Sequence, residues 1–555
     1  MILTGAEMAV RTLEENGVSV IFGYPGAANC PLIDRLASSD IRHILVRNEQ
    51  GAAHMASGYS RVSGEVGVCT ATSGPGATNL ITGIATAYMD SVPIVALTGQ
   101  VASGMVGSDA FQEVDITGAT MPFTKHNYLI KDGRDIPRII REAFYIAKTG
   151  RPGPVLIDMP MDILEQRFNY PEKKEPMQIR GYRFVERTNE AQIKKAAATI
   201  SAAKRPVILA GGGIVISKAC KEFQKFAEKL RVPVVSTMTG LGVLPCDHPL
   251  YYGMIGSHGK KQANQLLSRA DLVVVLGARL GDRSIANTKG LERRAKLVHV
   301  DIDPAEIGKN LKADVPVVGD LKYVLSRLLP FFADYEPPQD WTSSAEERRP
   351  EKTLYKPEEN GFVNPEYFIH RLSEKTKDKA YIATEVGQNQ IWVADNYCFQ
   401  NPRRFITSAG FGTMGYGLPA AIGAKAAGAN CVIAVMGDGS FQMDFCELAT
   451  MQQWNLPVKM VLFENHRLGM VHELQCLKYK SNYHAVELNG DPDFCMLAKA
   501  YGIPAEEIKK NDEVNAAIDR MIAAEGAYLV VVSVNPYEPT GAALNDKMLS
   551  EGGKA

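Results

Sequence analysis

Residues 431–470 read CVIAVMGDGSFQMDFCELATMQQWNLPVKMVLFENHRLGM, and their reading decides the fold. One apolar run, CVIAVM, stops at Gly437-Asp438-Gly439-Ser440. A second, VKMVLFEN, stops at Asn465, 27 residues after Asp438. Unbroken apolar runs suit parallel strands covered on both faces. A helix starting near Phe441 between them makes the stretch a βαβ unit. Parallel strands end at one sheet edge, so Asp438 and Asn465 converge there. A carboxylate, an amide oxygen and a main-chain carbonyl are hard donors suited to Mg²⁺ bridging two phosphates. The glycines let backbone approach a phosphate, and the helix start offers free N–H groups. Gly-Asp-Gly alone is an ordinary strand-to-helix turn; the spaced Asn turns it into a metal–diphosphate signal.

The same pattern extends in both directions. VSVIFGYPG, VGVCTATSGPG, PIVALTG and PVLIDMP occupy the first third, and PVILAGGG, DLVVVLG and LVHVDID the middle. YIATEVG and AYLVVVSV flank the opening stretch. The fold class expected is α/β, with three doubly wound parallel-sheet domains. Two polar, charged segments, 166–190 and 334–364, read as surface linkers. They delimit domains at 1–165, 190–333 and 365–535, with a weakly structured tail at 536–555. The total of 555 residues accommodates this division at roughly 150 residues per domain.

Composition excludes several classes. Lys+Arg 61 against Asp+Glu 62 leaves a net charge of -1, which disfavours nucleic acid or an anionic membrane as partner. Apolar residues at 45% and charged residues at 22% fit a soluble globular chain. No run of about 18 apolar residues occurs, so no membrane span is expected. MILTGAEMAVRTLEENG reads as an amphipathic helix rather than a secretory signal. The nine cysteines form no C-x-x-C pair, which suggests reduced thiols and a cytoplasmic setting. No clean G-x-G-x-x-G with a following acid argues for a nicotinamide dehydrogenase.

The GDG-to-Asn spacing, here ending Glu464-Asn465, resembles the thiamin-diphosphate (ThDP) motif. Glu49 in RNEQGAAHMASGY follows the run HILV; alone it reads as a helix-start Glu favoured by the dipole. Upstream of the motif, it resembles the carboxylate that hydrogen-bonds pyrimidine N1' of ThDP and so lets the coenzyme's 4'-amino group take the C2 proton. The whole chain to about residue 535 resembles the catalytic subunits of acetohydroxyacid synthase (acetolactate synthase). FGYPG, ATSGPGATNLITGIATAYMDSVPIVALTGQV, GSDAFQE, TKHNYL, GLGVLPCDHP, DIDPAEIGKN, GTMGYGLPAAIGA and NHRLGMV carry the likeness.

That resemblance implies a transferase: decarboxylation of pyruvate and carboligation to a second 2-keto acid, in branched-chain amino acid biosynthesis. It implies a pyrimidine-binding domain first, a flavin-type central domain, and a diphosphate- and Mg²⁺-binding domain last. It implies metal ligation by Asp438, Asn465 and the carbonyl of Arg467. ThDP contacts would come from Pro25, Gly26, Glu49, Val386, Gly387, Gln388, Asn389, Gly412, Met414, Gly437, Asp438, Gly439, Ser440, Asn465, Arg467, Leu468, Gly469 and Met470. Met414 would wedge under the thiazolium. Phe111 and Gln112 would line the reaction centre, and Arg283 would pair with the acceptor's carboxylate through its planar fork. A structural FAD would meet Arg151, Gly211, Gly212, Gly213, Thr237, Met238, Met254, Gly277, Arg279, Asp301, Ile302 and Asp320. Read singly, those central positions are tight strand-end loops. The family's site spans a subunit interface, so a homodimer or homotetramer is implied, and a small regulatory subunit is a further partner.

The sequence departs from the family at Ala27, Asn48, Met161, Asn389 and Leu474, and at NPYEPTGAALN near the end. Leu474 stands where a Trp biases the acceptor toward 2-ketobutyrate, so pyruvate is expected as the favoured acceptor. Alternatives are another ThDP-dependent decarboxylase, carboligase or oxidase, or a non-catalytic cofactor-binding paralogue. A glyoxylate carboligase fits less well, because that relative lacks the Glu supplied here by Glu49.

Overall fold

The computed structural model describes residues 1–170, 177, 179–185, 187–285, 288–349, 357, 360–377 and 379–541. Its frame is three six-stranded sheets, each parallel throughout. The first runs in space Arg42–Leu45, Val20–Gly23, Gly67–Ala71, Ile94–Gln100, Val155–Pro160, His126–Leu129. The second runs Tyr251–Met254, Val234–Ser236, Pro206–Ala210, Leu272–Leu276, Lys296–Asp301, Val315–Val318. The third runs Phe405–Ile406, Ala380–Thr384, Cys431–Gly437, Lys459–Glu464, Tyr528–Ser533, Ala505–Ile508. This is the expected doubly wound class. Inner strands such as Gly67–Ala71, Ile94–Gln100, Pro206–Ala210 and Leu272–Leu276 are buried at every position, which is why they read as unbroken apolar runs.

Each sheet reverses its winding at a central pair of strands, and the first and third turn back again at their far edge. The central reversal lies between Val20–Gly23 and Gly67–Ala71, between Pro206–Ala210 and Leu272–Leu276, and between Ala380–Thr384 and Cys431–Gly437. Crevices outside the carboxyl ends of such strand pairs are where doubly wound sheets take ligands.

The first and third domains meet through two helices, Glu49–Ser63 and Gly417–Ala426. A Cβ on Gly58 would lie 2.0 Å from the Ala420 carbonyl oxygen, and one on Gly423 would lie 1.9 Å from that of Met55. Only glycine allows the helices this approach. Across the seam the His54 and Tyr416 rings sit 5.1 Å apart, and the Ser57 and Tyr416 hydroxyls 3.1 Å. Glu49 therefore heads a helix whose direction is fixed by the third domain.

Three sequence expectations change. Within the charged 334–364 segment, the helix Gln339–Glu346 sets Trp341 into the central core, its indole N–H donating to the Pro206 carbonyl at 2.9 Å. The reduced-thiol expectation is corrected for Cys246 and Cys398, which pair in a disulfide between the second and third domains. The weak-tail expectation is corrected for 536–541, where Thr540 is 2% exposed; the rest of that tail lies outside the described residues. Among the described residues, no helix is long and apolar enough to cross a membrane. The opening helix is Gly5–Glu15, capped reciprocally by Thr4 and Glu7.

Candidate coenzyme and metal site

At the third sheet's reversal the two strand ends carry Glu385-Val386-Gly387-Gln388-Asn389 and Gly437-Asp438-Gly439-Ser440. Asp438 is buried. Its Oδ2 accepts the backbone N–H groups of Asn465 at 3.0 Å and His466 at 2.6 Å, and Oδ1 that of Gly439 at 2.8 Å. The convergence read from the 27-residue spacing is therefore present. Asn465 Oδ1 accepts the Arg467 N–H at 3.1 Å. Burial, with Asp491 adding like charge, pushes the Asp438 carboxyl up to about 7. Ligand atoms of Asp438, His466 and Asp491 all lie within 4.8 Å of one another. Crowded, desolvated acids of this kind favour a cation beside them.

The surroundings fit a diphosphate. Asn389 is 3% exposed, and its Oδ1 has no hydrogen-bond partner. Its amide nitrogen would lie 3.1 Å from a Cβ on Gly387 and 3.4 Å from one on Gly437. Gly387 has φ +154 and Gly412 φ +70. Two glycines and an orphaned amide therefore line the reversal crevice. Met414 reaches over it, 3.9 Å from where a Gly439 Cβ would stand, and Leu468 comes within 3.0 Å of the same point. Val386, Arg467, Gly469 and Met470 are half-buried around this edge.

Glu385 went unnoticed in the sequence. Its buried carboxylate accepts four backbone N–H groups, from Gly415 at 2.8, Tyr416 at 3.2, Gly417 at 2.6 and Leu418 at 3.4 Å. It fixes the loop that bears Met414 to the strand end. Glu447 was missed too. Its carboxylate accepts the N–H groups of Arg47 and Asn48, both at 3.0 Å, so the third domain grips the turn just before Glu49. Neither acid has a local signal, because each is defined by a partner loop far along the chain.

A second group forms at the first sheet's reversal. Glu49 Oε2 accepts the Asn79 amide at 2.9 Å, and a Cβ on Gly76 would approach Oε1 to 3.2 Å. Thr72 packs against both Gly26 and Gly76, with Pro25 next in chain. Gln112 holds φ +60, and its main chain lies 2.7 Å from where a Gly74 Cβ would be. Such backbone strain is tolerated where the surroundings over-determine it, commonly at ligand sites. Phe111 beside it is 86% exposed. Arg283 stands apart on an exposed turn of the central domain, its carbonyl accepting the Ser257 N–H at 3.0 Å.

The flavin positions fit less directly. A Cβ on Gly211 would lie 2.1 Å from the Gly277 carbonyl oxygen, one on Gly213 2.7 Å from Gly277, and one on Gly212 2.8 Å from Thr239. These glycines are accounted for by loop-on-loop packing. Asp320 caps the helix Leu321–Leu328 through the N–H groups of Lys322 and Tyr323. Arg151 is engaged by Glu306 at 2.7 Å and Asp303 at 3.4 Å. Met254 is buried in the third domain's core cluster, and Met238 packs against it. Thr237 and Ile302 follow their strands directly. Arg279 is half-buried and Asp301 is buried at the strand end beside it. Burial and the neighbouring Asp303 and Glu306 push Asp301 up to about 6.

Family models of the thiamine pyrophosphate enzymes match all three domains. The N-terminal TPP-binding model covers 3–119, the central-domain model 193–328 and the C-terminal TPP-binding model 385–532. The chain is a thiamin-diphosphate-dependent enzyme. It is 44% identical over 548 residues to a probable acetolactate synthase large subunit of Methanocaldococcus jannaschii, covering 97% of this chain and 93% of that protein. It is 44% identical to the acetolactate synthase large subunit of Lactococcus lactis subsp. lactis, covering 95% and 92%. It is 40% identical to the acetolactate synthase isozyme 2 large subunit of Escherichia coli K12, covering 99% and 100%. The chain belongs to the acetolactate synthase large-subunit family.

Proposed function

We propose that this protein decarboxylates pyruvate and joins the resulting two-carbon unit to a second 2-keto acid, with pyruvate favoured over 2-ketobutyrate. One observation carries the reading: Asp438 and Asn465 meet at the third sheet's reversal, beside the orphaned Asn389 oxygen. When bound, thiamin diphosphate supplies the electron sink that lets CO₂ leave. Asp438, Asn465 and the Arg467 carbonyl would hold Mg²⁺, and Asn389 with the Gly387 and Gly437 backbone would take the diphosphate. Met414, braced by Glu385, would set the coenzyme's bend. Glu49 would accept and return a proton at the pyrimidine N1' atom. Gln112 would orient substrate oxygens. Arg283, exposed on the central domain, would hold the acceptor's carboxylate.

The reading makes the working unit at least a dimer, in which Glu49 of one copy serves the third domain of another. A small regulatory subunit is the partner that the relatives' designation as large subunits supports. FAD would sit at Asp301 and Arg279 in a structural role, since the reaction has no net redox step. In a cytoplasmic setting the thiol pool would reduce the Cys246–Cys398 pair. The test is to incubate purified protein with pyruvate, thiamin diphosphate and Mg²⁺, with and without FAD. Acetolactate supports the reading; acetaldehyde, acetyl phosphate or no product overturns it.

Acceptor choice has its own test. Leu474 is 42% exposed on the helix Gly469–Lys478, on a face shared with Val471 and Leu477. A leucine covers less of an extra acceptor methyl than an indole does, a difference worth roughly 1–3 kcal/mol. In competition between the two keto acids, Leu474→Trp is expected to raise 2-ketobutyrate incorporation by about tenfold or more. Strong 2-ketobutyrate preference in the native chain refutes the assignment.

A further inference from the structure

The residues just beyond the last strand reach back to two of the three proposed metal-binding residues, Asn465 and Arg467. Thr540 donates its N–H to Glu473 Oε1 and its hydroxyl to Oε2, each at 2.9 Å. Gln388 Nε2 donates to the same Glu473 Oε1 at 2.7 Å and to the Glu538 carbonyl at 2.7 Å. Asn465 Nδ2 donates to Gln388 Oε1 at 2.9 Å. All four relay residues are buried: Thr540 2%, Glu473 3%, Gln388 6% and Asn465 7% exposed. On the other ligand, the Arg467 guanidinium lies 4.3 Å from the Tyr537 ring centroid and donates to its hydroxyl at 3.4 Å.

The relay has a direction. An ionised carboxylate only accepts, so Glu473 turns the NH₂ of Gln388 toward itself. That leaves the Gln388 oxygen facing Asn465, which turns the Asn465 NH₂ toward Gln388. Asn465 Oδ1 is then turned away from the relay, where it accepts the Arg467 N–H at 3.1 Å and keeps a second lone pair for an ion. Burial raises the Glu473 pKa and its three donors oppose that rise. Space for the relay comes from Gly469, where a Cβ would stand 1.9 Å from Gln388 Oε1. Gln388 therefore works by holding Asn465, since every polar atom of its side chain is already engaged by protein.

We propose that Glu473 and Thr540 are positioning residues for the metal site: through Gln388 they orient the Asn465 amide, and Tyr537 holds Arg467. This rests on the reading of Asn465 as a metal ligand. Fixing a ligand's orientation from one residue behind it is commonly worth 10–100-fold in metal affinity.

The experiment measures Mn²⁺ binding by electron paramagnetic resonance in the presence of thiamin diphosphate, on full-length native, Glu473→Gln, Thr540→Val and Asn465→Ala proteins. Mg²⁺ dependence of turnover is recorded alongside. Glu473→Gln is expected to weaken Mn²⁺ binding about 10–100-fold. Thr540→Val acts in the same direction and more mildly. Turnover returns to near native values at saturating Mg²⁺, and the KM for pyruvate stays unchanged. A purely structural role lowers the melting temperature and leaves the metal constant alone; that result overturns the proposal. If Asn465→Ala abolishes Mn²⁺ binding while Glu473→Gln and Thr540→Val do not weaken it, only the relay falls. If Asn465→Ala binds Mn²⁺ normally, the metal-site reading falls and the relay with it.

Discussion

Glu49→Gln protein is expected to form acetolactate about 10²–10⁴-fold more slowly than the native chain at saturating pyruvate. Glu49 is the first residue of its helix, and Asn48 caps that helix by accepting the Gln50 N–H at 2.9 Å. Its Oε2 is held by Asn79, and Oε1 faces the space that Gly76 leaves open. Gln preserves this shape and still accepts from Asn79. Its amide then presents a donor where the carboxylate offered a basic oxygen, so a ring nitrogen is met but no proton is shared. Coenzyme binding is therefore expected to stay within severalfold of native, with the melting temperature unmoved. The measurements are kcat by product analysis, the coenzyme dissociation constant, and the rate of C2 proton exchange on bound thiamin diphosphate. Native kcat in Glu49→Gln would remove the proton-transfer role. A native chain with no turnover at all would leave only the cofactor-binding paralogue.

What was legible in the sequence, and what was not, follows from the range of the interactions. Strands such as Ile94–Gln100, buried at every position, announce themselves through composition alone. Edge strands such as His126–Leu129 and Ala505–Ile508 are partly wet and blend into their flanks. Asp438 and Asn465 could be paired because a βαβ crossover fixes their spacing. The supports behind them could not. Glu385 answers to four N–H groups some 30 residues away, Glu447 to a turn 399 residues away, and Thr540 to Glu473 across 67. Residues 535–541 look unstructured by composition, yet Thr540 is tied down by Glu473, a partner far back along the chain. Cys246 and Cys398, 152 apart, illustrate the same limit. The central glycines show the converse: their motif was visible, but Gly211 and Gly277 touch each other, so close packing explains them before any ligand is invoked.

Asp438→Asn separates folding from metal capture. In the native chain the carboxylate accepts three backbone N–H groups while burial and Asp491 oppose its charge. Asn keeps the volume and one acceptor, but turns an NH₂ group toward a backbone donor, a mismatch costing about 1–3 kcal/mol. Removing a buried charge offsets part of that cost, so the ligand-free variant is expected to melt within a few degrees of native. The ligand response is expected to differ far more. A site that binds only the folded state stabilises it by RT ln(1 + [L]/Kd), about 2.7 kcal/mol when ligand stands at 100 times Kd. Native protein titrated with thiamin diphosphate and Mg²⁺ together is expected to show that rise in melting temperature. Asp438→Asn, having lost the anionic ligand that anchors the ion, is expected to show almost none, with Mg²⁺ affinity down by more than about 100-fold. Chelator added to native protein should reproduce the variant's curve, and added to the variant should change nothing. An undiminished thermal shift in Asp438→Asn would mean that the diphosphate is held without this carboxylate, and the Gly437-Asp438-Gly439 turn would return to being an ordinary strand-to-helix connection.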